Sequence, residues 1–524
     1  MFKNLIIFLI IVVVFLGSCI SEEASFTKAK QMADNESLTT FIKKYPDGKF
    51  TTEAKKLRVL SDSIEVIVGT FLGNETRNFY GNNAPEKLDT FWRFYLGTGN
   101  SPAYGGDKIW PGAGWTGMPL IIKEKGRTYI IQGCFDYRLK KFDAENGNLI
   151  WEYKFDDILK ATGTFWINYN AHTKEDRYVI IQGSRKGYLK TKDSLYCTSL
   201  RAVSFITGKE LWRMNSVATD CYSRDVDGSA LVINDTAFLA LENGLFTVFN
   251  PDYKYSEIKD GLLQPKIYQQ LKYYNDEDIK LHGDDLVAEA SPTLLNNHIY
   301  TPSGTGWIYG YNLATGKNDW EFYIGCDING SMPVTEDNCL LVPVEKQYIP
   351  GRGGVLKINP ALSPDKCVQW FFPVDTLHWS HWEGGLIGSV TVNDNYEKFG
   401  NYNMAVFNDV KGFLYVVDYM NLEPGKMELG PDNKTYYPVP KLLIKQKTDV
   451  TIATPLIIDD KIIAPTDKGL FLYKIIDNKG KPELLLLDEA KNMQLDATPS
   501  VYNGRIYVAA WDGYLYCLGN KSSK

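Results

Sequence analysis

Residues 291–325 read SPTLLNNHIYTPSGTGWIYGYNLATGKNDWEFYIG, in which short apolar stretches alternate with turn residues. Stretches of about four to eight residues that are rich in Ile, Leu, Tyr and Phe are typical of β-strands. Thr305-Gly306 supplies one of the turns, because glycine adopts the positive φ that a tight hairpin requires. The stretch therefore predicts four antiparallel strands joined by hairpins.

The same order of features recurs along the chain: a small residue, an apolar strand, a turn containing glycine, and a second apolar strand. The recurring units begin at Pro119, about Trp166, Ala230, Pro292, Pro333, Val390, Pro455 and Pro499. A four-stranded repeat with a period of about 40 to 50 residues is the signature of a β-propeller blade. The sequence therefore predicts an all-β fold, an eight-bladed β-propeller of four-stranded antiparallel blades.

The last unit stops after its third strand, whereas a fourth strand stands far upstream without a unit of its own. Residues 92–97 read WRFYLG and closely match WEFYIG at 320–325, which ends the complete unit. We therefore expect the segment 88–97 to supply the missing strand of the last blade. Such closure removes exposed sheet edges and locks the ring.

The spacing of Ala202, Gly208 and Trp212 resembles the tryptophan docking motif of the PQQ-type eight-bladed propellers, and Gly310, Gly316 and Trp320 repeat it. The resemblance covers about residues 88–520 and implies that tryptophans stack between blades. The tryptophans assigned this docking role are Trp92, Trp151, Trp212, Trp320 and Trp370.

The first residues have the form of a secretory signal peptide, with Lys3 before an unbroken apolar run from Leu5 to Leu16. Residues 16–19, LGSC, resemble a bacterial lipobox, which implies cleavage after residue 18 and a lipid anchor on Cys19. The alternatives are an uncleaved anchor or a signal without lipid. All three predict an exported protein, and the lipobox predicts an outer-membrane lipoprotein on an undetermined face.

Residues 19–87 differ in character from the rest of the chain. Apolar residues at helical spacing flank the turn at Tyr45–Gly48, and the stretch resembles tetratricopeptide-like helix pairs. One pair cannot bury its own apolar face. We expect a lipid-anchored tether and a helical pair in 19–87, packed on a propeller domain that covers 88–520.

Charge and cysteine content exclude some classes of function. The 524 residues include 57 basic and 63 acidic side chains, a net charge of −6, which gives no basic patch for nucleic acid. Seven cysteines follow Cys19 with no CxxC motif, so we expect most of them to be buried free thiols.

The family resemblance implies either a quinone dehydrogenase or a non-catalytic scaffold. The dehydrogenases carry a vicinal cysteine pair, a calcium site and an aspartate base, but no two cysteines are adjacent here. We therefore predict no enzyme activity and no PQQ or Ca²⁺ cofactor. A weak metal candidate is His378, His381 and Glu383, and a packing role for this loop competes with it.

Polar residues near the starts of the units predict a mostly acidic channel that could hold a cation. The candidate channel residues are Asp227, Glu289, Asn329, Glu383 and Asp496. Tryptophans near strand ends are candidate aromatic binding residues, namely Trp307, Trp379, Trp382 and Trp511. The alternative is that the polar residues only hydrate the channel and the tryptophans only pack.

Together these features predict a lipid-anchored envelope protein that acts as a propeller scaffold or binding module for envelope proteins. Its layout resembles the outer-membrane assembly lipoproteins of the BamB type. Two alternatives stay open: a periplasmic oxidoreductase that depends on PQQ and Ca²⁺, and a surface lipoprotein that binds glycan.

Overall fold

The structure is a computed structural model that describes residues 21–32, 34–103, 106–115, 117–186, 196–380 and 382–521. The predicted signal peptide and the predicted lipid attachment residue, Cys19, lie outside these ranges. Within them, no helix is both long and apolar enough to cross a membrane.

The described chain begins with three helices: α1 (Glu22–Met32), α2 (Asn35–Lys44) and α3 (Thr51–Ser61). The side chain of Asp34 accepts a hydrogen bond of 2.7 Å from the backbone N–H of Ser37 and so starts α2. Helices α2 and α3 flank the predicted turn at residues 45–48. Helix α1 was not predicted, and its Phe26 packs with Phe41 in a small helical core.

Four strands follow before the repeating units begin: β1 (Ile64–Val68), β2 (Asp89–Tyr95), β3 (Thr98–Ala103) and β4 (Gly106–Pro111). Strand β1 joins the first blade, β2 joins the last, and β3 and β4 form a separate hairpin. The innermost strand of the first blade therefore comes from the segment that the sequence analysis assigned to the N-terminal part.

Blades 1 to 4 take up the first half of the propeller. Blade 1 contains β5 (Leu120–Glu124), β6 (Arg127–Gly133), β7 (Arg138–Asp143) and β8 (Leu149–Lys154). Blade 2 contains β9 (Thr164–Ile167), helix α4 (Lys174–Arg177), β10 (Tyr178–Gly183), β11 (Leu200–Ser204) and β12 (Glu210–Met214). Blade 3 contains β13 (Leu231–Ile233), β14 (Thr236–Ala240), β15 (Leu245–Asn250), the small hairpin β16 (Glu257–Lys259) and β17 (Leu262–Gln264), and β18 (Lys266–Lys272). After helix α5 (Asp276–His282), blade 4 contains β19 (Thr293–Leu295), β20 (His298–Pro302), β21 (Trp307–Asn312) and β22 (Lys317–Tyr323).

Blades 5 to 8 complete the ring. Blade 5 contains β23 (Leu340–Val344), β24 (Gly354–Ile358) and β25 (Val368–Pro373), followed by the hairpin β26 (Thr376–Trp379) and β27 (Trp382–Gly384). Blade 6 contains β28 (Thr391–Val392), β29 (Met404–Asn408), β30 (Phe413–Leu429) and β31 (Tyr436–Lys447). Blade 7 contains β32 (Leu456–Ile458), β33 (Lys461–Thr466), β34 (Gly469–Asn478) and β35 (Lys481–Lys491). Blade 8 contains β36 (Ser500–Tyr502), β37 (Arg505–Ala509) and β38 (Tyr514–Gly519).

This architecture confirms the predicted eight-bladed propeller of mostly four-stranded antiparallel blades. Blade 5 departs from it, because a single bridge between Val334 and Leu340 replaces an innermost strand. Insertions in the repeat at 251–285 and 421–440 are largely ordered, as the β16–β17 hairpin, β18 and α5, and as the extended outer hairpin of blade 6.

Strand β2 closes the ring by completing blade 8, as its similarity to the end of the 291–325 unit predicted. It pairs antiparallel with β38, with Arg93 opposite Tyr516 and Tyr95 opposite Tyr514. Blade 8 thus combines strands from both ends of the propeller sequence, which leaves the ring no free seam.

Tryptophans on outer strands link each of several blades to the next one. The indole N–H of Trp151 in blade 1 donates a hydrogen bond of 3.0 Å to the backbone oxygen of Phe205 in blade 2. A Cβ at Gly208 would lie 2.8 Å from the same indole ring, which explains why glycine precedes the next tryptophan by four residues. Equivalent bonds run from Trp92 to Ala144, Trp212 to Pro251, Trp320 to Leu362 and Trp370 to Tyr419.

The N-terminal helices contact blade 2 through charged and polar groups. The buried carboxylate of Asp62 accepts hydrogen bonds of 2.6 Å from Arg177 and 2.7 Å from the hydroxyl of Tyr178. The guanidinium of Arg58 donates a bond of 2.7 Å to the backbone oxygen of Tyr169. These partners come after β9 in the chain, so the helices lie at the end of blade 2 that contains the C-terminal end of β9.

Residues 69–83 run across this same end of the ring, and we call them the channel plug. The guanidinium of Arg77, fully buried, donates to the backbone oxygens of Pro292 in blade 4 (2.6 and 2.9 Å) and Phe71 (2.8 Å). Farther along, the backbone N–H of Val392 in blade 6 donates a hydrogen bond of 2.9 Å to the hydroxyl oxygen of Tyr80. Gly81 then bridges to Val501 in blade 8. The plug closes one end of the central channel.

A candidate ligand-binding cavity in the channel

The other end of the channel opens into a cavity of about 990 Å³. Residues that stand four positions before an innermost strand reach it: Lys160 before β9, Glu289 before β19 and Asp496 before β36. Asp227 stands at the equivalent position before β13, and with Glu289, Asn329 and Phe71 of the channel plug it lines the narrow deep end. The cavity is therefore built by the blade repeat itself and is closed below by the plug.

Blades 4 and 5 contribute four carboxylates to one side of the cavity, and we call them the acidic wall: Asp285, Glu289, Asp327 and Glu345. The amide nitrogen of Asn329 donates hydrogen bonds of 3.1 Å to Asp327 and 2.8 Å to Glu345. The hydroxyl of Tyr348 donates one of 2.7 Å to Asp285. These donors are neutral, so they satisfy oxygens of the wall without supplying a counter-charge.

Burial and repulsion between neighbouring carboxylates raise the pKa of three carboxyls of the acidic wall, Glu289, Asp327 and Glu345. Burial, with the neighbouring carboxylates adding to it, raises the pKa of Glu289 to about 8 even though the Lys160 ammonium opposes the shift. Burial and then Asp285 raise the pKa of Asp327 to about 7. Burial and then Asp327 raise the pKa of Glu345 well above its usual value. Glu289 and Asp327 therefore exchange protons near neutral pH, where another cation can take the place of the proton.

A second carboxylate group lies deeper and already has a cation. Oxygens of Asp227, Glu242 and Glu289 lie within 4.8 Å of one another, a spacing suited to a metal ion. The ammonium of Lys160 forms an ion pair with Asp227, both side chains being more than nine-tenths buried. Burial lowers the pKa of Lys160, but Asp227 and Glu242 outweigh it and raise the pKa above its usual value. Lys160 is therefore charged and takes the place of a metal here.

Aromatic rings surround the cavity and form what we call the tryptophan rim: Trp110, Trp115, Trp379, Trp382 and Trp511. Trp379 and Trp382 stack with ring centroids 5.4 Å apart, and Trp115 lies 5.9 Å from Trp382. Trp110 reaches the cavity on the β3–β4 hairpin and lies 5.3 Å from Trp511. The indole of Trp511 donates a hydrogen bond of 2.6 Å to Asp496, which fixes the orientation of that ring.

Four of the five predicted channel residues lie in the cavity region: Asp227, Glu289, Asn329 and Asp496. Glu383 does not, and its side chain is exposed on the β26–β27 hairpin. The position four residues before β28 of blade 6 is Ile387, which is buried and apolar. Glu383 lies outside that register, so the prediction for it was wrong.

The predicted aromatic residues divide in a similar way. Trp379, Trp382 and Trp511 belong to the tryptophan rim, whereas Trp307 lies outside it and packs on Tyr323 with ring centroids 4.7 Å apart. His378 and Glu383 are both exposed, and His381 lies outside the described residues. Among those residues, the carboxylate group around Glu242 is the one with metal-ligand spacing.

Sequence reasoning missed Lys160, Glu242, most of the acidic wall, and Trp110 and Trp115. Lys160 was missed because the second unit was taken to start at Trp166, although its innermost strand begins at Thr164. The four-residue offset that Asp227, Glu289 and Asp496 share would have found it. Asp327 and Glu345 follow no such rule, since they lie on irregular connections of blade 5.

Comparison with known proteins supports the fold and leaves the rest open. No family model matches the chain, and no curated protein matches it. Among solved structures, BamB from Moraxella catarrhalis is similar with a TM-score of 0.50 at 12% identity, over 83% of this chain and 100% of that chain. The chain has the fold of BamB.

Two other solved structures are similar at lower scores. The quinohemoprotein alcohol dehydrogenase from Comamonas testosteroni has a TM-score of 0.48 at 15% identity, over 87% of this chain and 81% of that chain. The computationally designed Ika8 protein has a TM-score of 0.45 at 11% identity, over 81% and 99%. A shared fold does not determine function, so function has to be argued from the cavity.

Proposed function

We propose that the protein is an exported, non-catalytic binding module of the bacterial cell envelope, which receives part of its ligand or partner in the channel cavity. The observation that carries this proposal is the shape and lining of the cavity. It is deep, closed at one end by the channel plug, and lined by tryptophan faces and carboxylates. Pockets with aromatic walls and a few oriented polar groups are typical ligand sites.

The membrane attachment in this proposal comes from the sequence. A signal peptide at 1–18 and a lipid on Cys19 would hold residues 19–87 and the propeller at a membrane, most simply the outer membrane. The helices at 22–61 lie at the plugged end of the ring. An anchor that precedes these helices would leave the open cavity free to face a partner.

The chemistry of the cavity favours binding over catalysis. No cysteine or histidine lines it in the part of the chain that the structure describes. All seven described cysteines are buried free thiols, and burial raises the pKa of Cys197 to about 11 and that of Cys221 to about 12. Protonated, buried thiols are poor nucleophiles.

The carboxyls of the cavity weigh against the quinone alternative. PQQ is a tricarboxylate, and it would have to lie against the acidic wall, whose carboxyls form no ion pair among the described residues, because the nearby cations Lys160 and Arg185 pair with Asp227 and Asp225. The chain also lacks the adjacent cysteines of the quinone dehydrogenases. Incubation with PQQ plus Ca²⁺ should leave the melting temperature unchanged, and a saturable rise would revive this alternative.

Glycan binding remains a second candidate because Trp379 is partly exposed at the cavity and can stack on a sugar. It predicts affinity for a polysaccharide that Trp379→Ala and Trp511→Ala both abolish. The matched control is Trp307→Ala, since Trp307 lies outside the tryptophan rim. Equal losses from all three variants would count against a sugar site in the cavity.

The test of the main proposal is cross-linking in membranes of the native host. A photoreactive amino acid at Gln347, which lines the cavity, should give a defined cross-linked product. The same amino acid at Lys317, exposed on the outer strand of blade 4, should give none. Cys19→Ala serves as the control for anchoring and should release the protein from the membrane.

The identity of the product distinguishes the candidates. An envelope protein linked through Gln347 supports partner capture, and a polysaccharide linked there supports the glycan alternative. Equal products from Gln347 and Lys317, or none from either, would refute the cavity as the recognition site.

A further inference from the structure

The cavity contains more carboxyl groups than its own cations pair with. Arg185 pairs with Asp225 at 2.9 Å, and Lys160 pairs with Asp227. The carboxylates around the cavity that form no ion pair within the described ranges are Glu242, Asp285, Glu289, Asp327, Glu345 and Asp496. Their hydrogen-bond donors are uncharged groups such as the hydroxyl of Ser223, which lies 2.6 Å from Glu242.

Two of these carboxylates have an oxygen that lacks a hydrogen-bond partner. Oε1 of Glu242 and Oδ1 of Asp496 are both unpartnered within the described part of the chain. The two residues are only 2% and 7% exposed, and both line the cavity. A buried acceptor left without a donor is costly, and a ligand that brings donors relieves that cost.

The protein's own lysines show which kind of group fits between the carboxylates and the indole rings of the cavity. The ammonium of Lys160 lies 4.7 Å from the ring of Trp115 while it pairs with Asp227. The ammonium of Lys108 lies 4.7 Å from the ring of Trp110 and 4.8 Å from that of Trp511. An alkylammonium held by an indole face and a carboxylate is thus an arrangement that this cavity already uses.

The spacing of the carboxylates favours an organic cation over a metal ion. The group with metal-ligand spacing, Asp227, Glu242 and Glu289, already contains the ammonium of Lys160. The other wall carboxylates do not approach one another as a metal would require, within the residues that were described. A cavity of about 990 Å³ with aromatic sides accommodates a molecule rather than a bare ion.

We propose that the ligand group received by the cavity is an organic cation, an alkylammonium or a guanidinium, held between the acidic wall and the tryptophan rim. This inference rests on the proposed function, because it specifies the chemistry of the same site. A free amine and a lysine or arginine side chain of a partner protein present the same group, and the experiment below separates them.

The test is isothermal titration of the purified protein with matched probes. Cadaverine and agmatine represent free cations, and acetyl-lysyl-lysine amide and acetyl-arginyl-arginine amide represent a partner's side chains. The neutral control is 1,5-pentanediol, which has the length of cadaverine without its charges, and CaCl₂ represents a metal ion. We expect saturable binding of at least one cationic probe, no binding of the diol, and no competition from Ca²⁺.

Preference for the dipeptides over the free amines identifies a partner's side chain as the source, and the reverse identifies a small amine. Glu345→Gln and Asp327→Asn each replace a wall carboxyl, which can ionise against a bound cation, by an amide of nearly the same shape, and each should weaken binding by about tenfold. The control is Glu397→Gln, an exposed carboxylate away from the cavity, which should bind as the wild type does.

Equal binding of the diol, displacement by Ca²⁺, or unchanged affinity in both wall variants would overturn the inference. Melting temperatures of the variants, measured alongside, show whether a loss reflects misfolding. A cavity-dependent cross-link at Gln347 without any binding of cations would refute the ligand class and leave the proposed function standing. Binding of cations without that cross-link would support the ligand class and refute the proposed capture of a partner through the cavity.

Discussion

Trp92 lies directly opposite Cys517 in the antiparallel pairing of β2 with β38. The pairing joins the segment that follows the channel plug to the last strand of the chain. Since the inner edges of the blades surround one channel, the cavity exists only because this seam is closed. The site and its ligand chemistry therefore depend on a contact between the two ends of the propeller.

The first prediction tests the register of this seam. Trp92→Cys would place a thiol opposite Cys517, and mild oxidation should join the two as a disulfide. The neighbouring residue Arg93 lies opposite Tyr516, so Arg93→Cys directs its thiol to the other face of the strand and should not form that link. Peptide mass spectrometry identifies the linked pair. Linkage from position 93 instead of position 92 would show a different register.

The second prediction concerns the channel plug. Arg77→Met removes the donors that serve the backbone oxygens of Pro292 and Phe71 and leaves them buried without partners. We expect the free energy of unfolding to fall by about 2–4 kcal/mol. Hydrogen exchange of residues 69–83 should become faster. Arg127→Met, whose side chain is 71% exposed, should change stability by less than about 0.5 kcal/mol. A loss of equal size in both variants would contradict the role of Arg77.

The third prediction follows from the raised pKa of Glu289, about 8 in the folded protein. Between its ordinary value of 4.5 and about 8, the folded state holds a proton that the unfolded state has released. Stability should therefore fall as pH rises through this window. Glu289→Gln stays neutral throughout, so it should be more stable than the wild type at pH 9 by on the order of 2 kcal/mol.

Urea unfolding at pH 5 and pH 9 measures this difference. The advantage of Glu289→Gln at pH 9 should be much smaller at pH 5. Glu397→Gln, which changes an exposed carboxylate, should track the wild type at both values. A pH-independent difference between Glu289→Gln and the wild type would rule out titration of Glu289 as the cause.

The fourth prediction concerns the resident cation of the deep carboxylate group. Lys160→Met leaves Asp227, Glu242 and Glu289 close together without their ammonium. The variant should be destabilised without added metal, because buried carboxylates lose their counter-charge. Ca²⁺ should then bind and restore part of the melting temperature. If Ca²⁺ instead binds the wild type as tightly as the variant, Lys160 does not occupy the place of a metal.

Much of the architecture was predictable because it repeats. The unit at 291–325 revealed the strand order, and the similarity of residues 92–97 to its end revealed the closure. Trp212 and Trp320 followed from a fixed spacing, and the glycine at 208 is now explained by the indole of Trp151 that lies against it. Each of these signals is local or is copied elsewhere in the chain.

The site was only partly predictable because much of it is not copied. The channel plug has no counterpart in any blade, and its Arg77 acts on distant backbone oxygens. Asp327 and Glu345 come together through irregular connections, and Trp110 arrives on a hairpin inserted before blade 1. Glu383 is an error of the other kind, a residue that was predicted in the channel but lies outside it. It was predicted there because it is acidic and precedes the start of a unit.

The most direct measurement is a crystal structure of the protein grown with cadaverine. We predict a diamine in the channel cavity, with one nitrogen within about 3 Å of carboxylate oxygens of the acidic wall and its chain along the tryptophan rim. A cavity that holds only water at saturating cadaverine, or one in which a metal ion bridges Glu289 and Glu345, would contradict the account.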